Sequence, residues 1–243
     1  MNRGSIGIHY WGSESYIRSR RERARVIYGV TYHRLRHIQG VWVDVGAGPG
    51  ILKSELERLF RHPILGLERE RALVHVSQRM LLGDAMALPF ADCSVDVIFF
   101  NHVLEHVPDP EAALHELTRV LKPGGWLYLA SPNAWWFWEV HYRLPGIHWM
   151  PAGVRDVLVQ RLRGEARFDV QLWAYPRLRR TLERMGYRVE NVVPLLFYAR
   201  PAYLRKRTWR WAAAVLRRLP GLRSLMAGPF APNIMVLAQK QIP

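Results

Sequence analysis

Apolar positions along this chain follow two rhythms. Short, largely β-branched or apolar runs, "VWVDV", "PILGLE", "MLLGDA", "SVDVIFF" and "GWLYLAS", alternate with segments in which apolar residues recur every three or four positions, "ILKSELERLF", "ERALVHVSQRM" and "PEAALHELTRVL". The first kind predicts buried strands and the second amphipathic helices. Their alternation implies βαβ units and a doubly wound α/β fold around a parallel sheet. Ahead of them, Ser13 to about Ile38 reads as a helix with Ser13 as N-cap; behind them come a helix, "PRLRRTLERMG", closed by Gly186, and two more strands, "YRVENVVPLL" and "NIMVLAQK". Two stretches break the rhythm, at about 133–170 and 196–230, and are expected to be insertions. The chain then divides into an N-terminal helical cap, 1–40, and one α/β domain, 41–243, that carries both insertions.

The punctuation between strands and helices carries the chemistry. After the first strand comes "DVGAGPG", Asp44 to Gly50, whose glycines let the backbone approach a ligand at the carboxyl end of a strand, where open α/β sheets bind ligands. Its spacing is Gly-x-Gly-x-Gly with Ile51 next, so it departs from the dinucleotide fingerprint. Glu68 ends the second strand, where a carboxylate can accept both hydroxyls of a ribose. Asp84 ends the third strand and "NHVLEHVPD" follows the fourth, so each ligand-type residue falls at the same edge of the sheet.

Taken together, "VDVGAGPG", "GLE" and "GDAMALPFADCSVDVIFFNHVLEHVPDPEAALHELTRVLKPGG" resemble the class I S-adenosylmethionine-dependent methyltransferases of the small-molecule type, over about residues 41–132. That resemblance implies a Rossmann-like, seven-stranded sheet whose last strand, "NIMVLAQK", runs antiparallel. It also implies S-adenosylmethionine as cofactor. Asp44, Gly46, Gly48 and Gly50 would surround its methionine part, Glu68 its ribose, and Asp84 with Ala85 its adenine, while Asn101 and His102 would form the wall beneath the sulfonium.

Methyl transfer is an in-line displacement on carbon already activated by a positive sulfur, so positioning supplies much of the rate and a base is needed only if the acceptor holds a proton. His106, His102 and Glu105 are the candidates for that base. No metal site is expected. "HVLEH" matches a zinc-protease pattern whose histidines share a helical face, but "PDP" follows at once and leaves little helix to support a site. The single Cys93 excludes an internal disulfide and a cysteine-built zinc or iron–sulfur centre.

The first insertion opens with "NAWWFWEVHYRLPGIHWMP", placed just after the fifth strand and hence beside the transferable methyl. Trp135 and Trp138 offer apolar surface for an acceptor, and His141, Tyr142, Arg143 and His148 offer polar groups. In the second insertion, "PAYLRKRTWRWAAAVLRRLPG" forms a basic, tryptophan-bearing amphipathic pattern suited to a membrane interface. Charge changes the picture further. The formal +15 is concentrated at the flanks: residues 1–40 hold 8 basic and 2 acidic side chains, 41–150 hold 9 and 13, and 151–243 hold 18 and 5.

A near-neutral core between basic flanks predicts a small-molecule site beside an anionic surface. The expected activity is methyl transfer to a hydrophobic or lipid-linked acceptor, such as a quinone, polyprenyl compound or glycolipid, by a cytoplasmic protein peripheral on the inner membrane face. No signal, transit or spanning segment is expected. RNA methylation is the alternative that the arginines raise; against it, "NHVL" stands where many base-amine methyltransferases carry Asn/Asp-Pro-Pro-aromatic. A non-catalytic subunit that kept the fold is a third reading.

Overall fold

A computed structural model of the chain describes residues 13–74, 79–139, 141–142, 144–164, 168–195, 228 and 230–242. Helix α1 spans Glu14–Leu35, and Ser13 caps it, its Oγ accepting from the Tyr16 N–H at 3.3 Å. Strand β1 (Trp42–Val45) leads into α2 (Ile51–Phe60), followed by β2 (Leu65–Glu68), β3 (Met80–Leu82) and β4 (Val95–Asn101). Then come α3 (Pro110–Val120) and β5 (Leu121–Pro132). The insertion holds a two-residue hairpin, β6 (Trp138–Glu139) and β7 (Leu144–Pro145), and helix α4 (Ala152–Arg163). The chain closes with α5 (Tyr175–Arg184), β8 (Tyr187–Asn191) and β9 (Asn233–Lys240).

Seven strands form one sheet in the order β3-β2-β1-β4-β5-β9-β8. The pairs from β3 through β5 are parallel, and β9 runs antiparallel to both of its neighbours, with Leu129 opposite Val236 and Val189 opposite Ala238. The Rossmann-like sheet with its reversed last strand is therefore the observed fold. Strand order reverses between β1 and β4, which makes their carboxyl ends the crevice where ligands bind.

Period-two alternation sorts the strand side chains into two cores. Trp42, Val97, Phe99 and Tyr128 face one side, packed with Ala24, Ile27, Val30 and Leu35 of α1 and Leu52 and Leu56 of α2. Val43, Val45, Ile98, Phe100, Leu127 and Leu129 face the other, under Leu114 and Leu117 of α3 and Leu178 and Leu182 of α5. The insertion carries a small core of its own, made of Tyr142, Ile147, Val159 and Val170. Both of its ends are tied to the sheet: Asn133 bridges to Trp173, and its side-chain amide donates to the Ala231 carbonyl at 2.9 Å.

Two elements differ from their sequence patterns. "ERALVHVSQRM" has a helical period, yet the described part is a 3-10 turn at Arg71–Leu73, with 75–78 outside the described residues. The Glu68 carboxylate captures the N–H groups of Arg69 and Glu70 at 2.9 and 3.0 Å and fixes a turn where a helix start was expected. At the end of α3 the chain enters β5 directly, and "KPGG" lies within the strand as a bulge between the pairs Val95–Leu121 and Val97–Trp126. Lys122 secures it with bonds of 2.8 and 2.9 Å to the Asp96 carboxylate. Residues 196–227, where the basic amphipathic helix was read, lie outside the described residues.

Because Ile27 of α1 is fully buried in the core that α2 and the sheet share, the cap and the α/β domain should unfold as one unit. Ile27→Ala is expected to lower stability by about 2–5 kcal/mol while keeping a single transition in urea followed by tryptophan fluorescence. Two separated transitions would show the cap to be independent.

Candidate functional site

A cavity of about 620 Å³ opens at the carboxyl ends of β1, β2 and β4, lined along its length by residues from Tyr16 to Asn233. Its floor is the glycine loop. Gly46, Gly48 and Gly50 all lie at positive φ, 75°, 56° and 77°, a region costly for any residue with a Cβ. At Gly46 the constraint is doubled, since a Cβ there would stand 2.3 Å from the Val103 side chain. Gly48 donates its N–H to Glu68 Oε2 at 2.8 Å, so the carboxylate at the end of β2 holds the loop as well as facing the cavity.

Asp44, Gly46, Gly48, Glu68, Asp84, Ala85, Asn101, His102 and His106 all line this cavity. Gly50 instead forms the N-cap of α2. Asp84 is braced by the Met86 N–H, 2.8 Å from Oδ1. Asp44 is 2% exposed and its Oδ2 has no hydrogen-bond partner. Burial, opposed by the Lys53 charge and reinforced by that of Glu68, pushes its carboxyl up to about 7. A buried oxygen without a donor is costly, and the cavity is the side from which a ligand's donor or positive charge reaches it.

Sequence reasoning missed the contribution of α1. Tyr16, Arg20 and Arg23, at i, i+4 and i+7, share one helix face on the cavity wall. Arg20 stacks on the Tyr16 ring, its guanidinium carbon 4.7 Å from the ring centre. Neither arginine has a carboxylate partner among the described residues, and burial with the Arg20 charge lowers the pKa of Arg23. The spacing Tyr-x-x-x-Arg-x-x-Arg was visible in the sequence, but not which way the helix would face.

At the opposite end the turn after β4 departs from helical geometry. His102 has φ 57°, and Leu104–His106 is a single 3-10 turn, so His102 and His106 do not share an α-helical face. Glu105, fully buried, lies behind the wall rather than on it. Its Oε1 pairs with His102 Nδ1 at 3.1 Å and its Oε2 accepts from Ser131 Oγ at 3.2 Å. Burial opposes its ionisation, yet His102, a backbone N–H and His106 together hold its pKa below the usual glutamate range. Burial and the Arg23 charge lower the pKa of His102, against the pull of Glu105.

The insertion delivers one residue to this cavity, His141. Its Nδ1 lies 2.7 Å from Oε1 of the buried Glu139, and its ring centre is 5.1 Å from that of His106 at 89°. The other proposed acceptor residues are placed elsewhere. Tyr142 is buried in the insertion's own core, its hydroxyl 2.5 Å from Asp169 Oδ1, because the Glu139 turn directs it inward. Trp135 and Trp138 are exposed, with Trp135 against Phe230; His148 stacks edgewise on Trp149; Arg143 lies outside the described residues.

Fold and site together define the class at the level of the domain: residues 43–129 form a methyltransferase domain in a sheet of the class I S-adenosylmethionine-dependent type. Residues 43–129 match the model of a methyltransferase domain family. The chain is 41% identical over 101 residues to malonyl-[acyl-carrier protein] O-methyltransferase 1 of Coxiella burnetii, covering 41% of this chain and 36% of that protein. It is 31% identical over 157 residues to the ubiquinone biosynthesis O-methyltransferase of Parvibaculum lavamentivorans, covering 58% of this chain and 60% of that one. The match thus spans little more than a third of the first relative's length and three fifths of the second's. In fold it is similar to an S-adenosylmethionine-dependent methyltransferase of Methanosarcina mazei, with TM-score 0.54, 18% identity, and coverage of 86% of this chain and 96% of that one.

The Asp44 environment carries a definite pH signature. Its folded-state pKa, about 7, lies above the unfolded value of ~3.9, so the folded protein holds the proton more tightly and stability falls as pH rises across that window. Asp44→Asn removes this loss. The variant should gain stability relative to wild type between pH 5 and pH 8, measured by urea denaturation at both values; a constant difference would contradict the assignment.

Proposed function

We propose that this protein transfers the methyl group of S-adenosylmethionine to a hydrophobic or lipid-linked small molecule. The observation that supports the reading is a single cavity with a glycine floor and ribose-type carboxylate at one end and a pair of imidazoles at the other. Glu68 offers a carboxylate to a ribose diol, and Asp84 with the Ala85 backbone faces the base. Arg20 and Arg23 supply the positive charge that a carboxylate on the methionine part requires, while Asp44 supplies the anionic oxygen that its ammonium group fits. When bound, the cofactor supplies a methyl group on positive sulfur, which needs a well-aimed nucleophile more than further activation.

The imidazoles of His106 and His141 border the space an acceptor must enter. Glu139 orients His141 by accepting from Nδ1, which leaves Nε2 as its accepting nitrogen. Backbone N–H groups of His141 and Tyr142 also bond Glu139; burial pushes its carboxyl up, but the His141 side chain and these N–H groups hold it below the usual glutamate range. Support for an apolar acceptor comes from the insertion, which exposes Trp135, Phe137, Trp138 and Trp149. Relatives named for acyl-carrier and quinone O-methylation point to the same class of acceptor and to oxygen as the methylated atom. Attachment to an anionic membrane surface rests on the charge distribution alone, and among the described residues no helix is long and apolar enough to cross a bilayer.

Calorimetry with S-adenosylmethionine tests the cofactor half of this reading. Stoichiometric binding is expected, weakened at least ~10-fold by Glu68→Ala, since a lost charge-assisted hydrogen bond is worth about 1.5–3 kcal/mol. Binding by wild type that is unchanged in Glu68→Ala would overturn the site. Incubating lipid extracts with methyl-labelled cofactor tests the acceptor half, with label expected in the organic phase.

A further inference from the structure

We propose that Glu105, His106 and His141 bind one divalent transition-metal ion of the zinc type at the acceptor end of the cavity. One carboxylate oxygen of Glu105 and one ring nitrogen from each histidine all lie within 4.8 Å of one another. They come from two distant parts of the chain, the turn after β4 and the insertion, yet converge because the Gln171 N–H donates to the Glu105 carbonyl at 2.9 Å and pins the insertion against that turn.

The donor set decides the kind of ion. Two imidazoles and one carboxylate are the ligands of catalytic zinc sites that keep a fourth position open, whereas magnesium and calcium prefer oxygen throughout. The groups behind the ligands have the arrangement such sites need. Glu139 accepts from His141 Nδ1 at 2.7 Å, which fixes the tautomer and presents Nε2 to an ion. Glu105 is fully buried and steadied on both oxygens, by His102 at 3.1 Å and Ser131 at 3.2 Å. Bonds of about 2.0–2.1 Å would draw the three atoms inward from their present spread.

The pattern "HVLEH" does not itself make the site. His102 is itself in the left-handed region and His106 ends a 3-10 turn, and His102 serves as a support for Glu105 rather than as a ligand. His141, which no local spacing announces, replaces it. His106 and His141 both border the cavity, so the open position faces the acceptor. It would take an acceptor oxygen, a hydroxyl or enol, and coordination would lower that oxygen's pKa, its proton passing to solvent.

This inference deepens the proposed acceptor site and is tested apart from cofactor binding. Full-length protein stripped with chelator is dialysed against Zn²⁺ or Co²⁺ and the bound metal is counted. One equivalent is expected, with a cobalt absorption band of tetrahedral or five-coordinate type. His141→Ala and His106→Ala should lose that equivalent, Glu139→Gln should weaken it ~10–100-fold, and His115→Ala, on the exposed face of α3, should leave it unchanged.

S-adenosylmethionine calorimetry on the same samples keeps the two readings distinct. Loss of metal with cofactor binding retained confirms the site, and failure of cofactor binding in wild type sinks the methyltransferase reading without touching the metal count. Absence of a stoichiometric ion in folded wild type, or an ion that survives both histidine substitutions, overturns the proposal.

Discussion

The approach of the Gly46 backbone to the Val103 side chain is the contact on which the rest of the site depends. A Cβ at Gly46 would fall 2.3 Å from Val103, and the backbone there is already at φ 75°, so only glycine fits. This contact joins the loop after β1 to the turn after β4 at the point where strand order reverses. The glycine floor and the histidine wall are thus two sides of one junction. Movement of either changes the distance between the cofactor end and the acceptor end, and transfer between oriented groups is steeply sensitive to that distance.

Three carboxylates are buried around this junction, and their partners distinguish their roles. Glu105 and Glu139 each have a histidine and further donors, and both are held below the ordinary glutamate range. Asp44 has one oxygen without a partner and is pushed the other way. The first two are braced by donors within the protein and orient the imidazoles of His102 and His141. Asp44 is unfinished, at a cost the fold offsets elsewhere, and a cationic ligand in the cavity relieves it. The same logic separates the arginines: several on the surface have acidic partners, as Arg58 and Arg119 do, while Arg20 and Arg23 face the cavity without one among the described residues.

The sheet, the glycine loop and the carboxylates at strand ends were legible in the sequence because each depends on local signals. A β-branched run fixes a strand, and a glycine fixes a turn. The sheet edge then gathers Glu68, Asp84 and Asn101 without further information. Features that depend on side-chain capture were not legible. Glu68 turned "ERALVHVSQRM" away from its helical period by binding two N–H groups, and Lys122 with Asp96 kept "KPGG" within a strand. The aromatic segment after β5 misled for another reason: hydrophobicity indicates burial somewhere, but Tyr142 found a local core and Trp135 and Trp138 remained exposed. Among the described residues of the insertion only His141 reached the cavity, and its position follows from how the insertion docks, which no period encodes.

That docking separates two kinds of change the molecule can tolerate. The residues facing the glycine-loop end of the cavity come from α1, the start of α2, and the strand ends and the loops that follow them, elements that share the principal cores. The insertion has its own small core and meets the wall through a few bonds, chiefly Gln171 to Glu105, Gln171 to Pro108 and the Asn133–Trp173 bridge. Substitutions within it can alter the acceptor end without disturbing the floor. Glu105 is the exception, because it is at once the anchor for the insertion's backbone, the partner of His102 and a neighbour of His106 and His141. A change there disturbs the turn after β4 and the docking of the insertion together, whereas substitutions within the insertion's own core leave the His102–Glu105–Ser131 bonds in place.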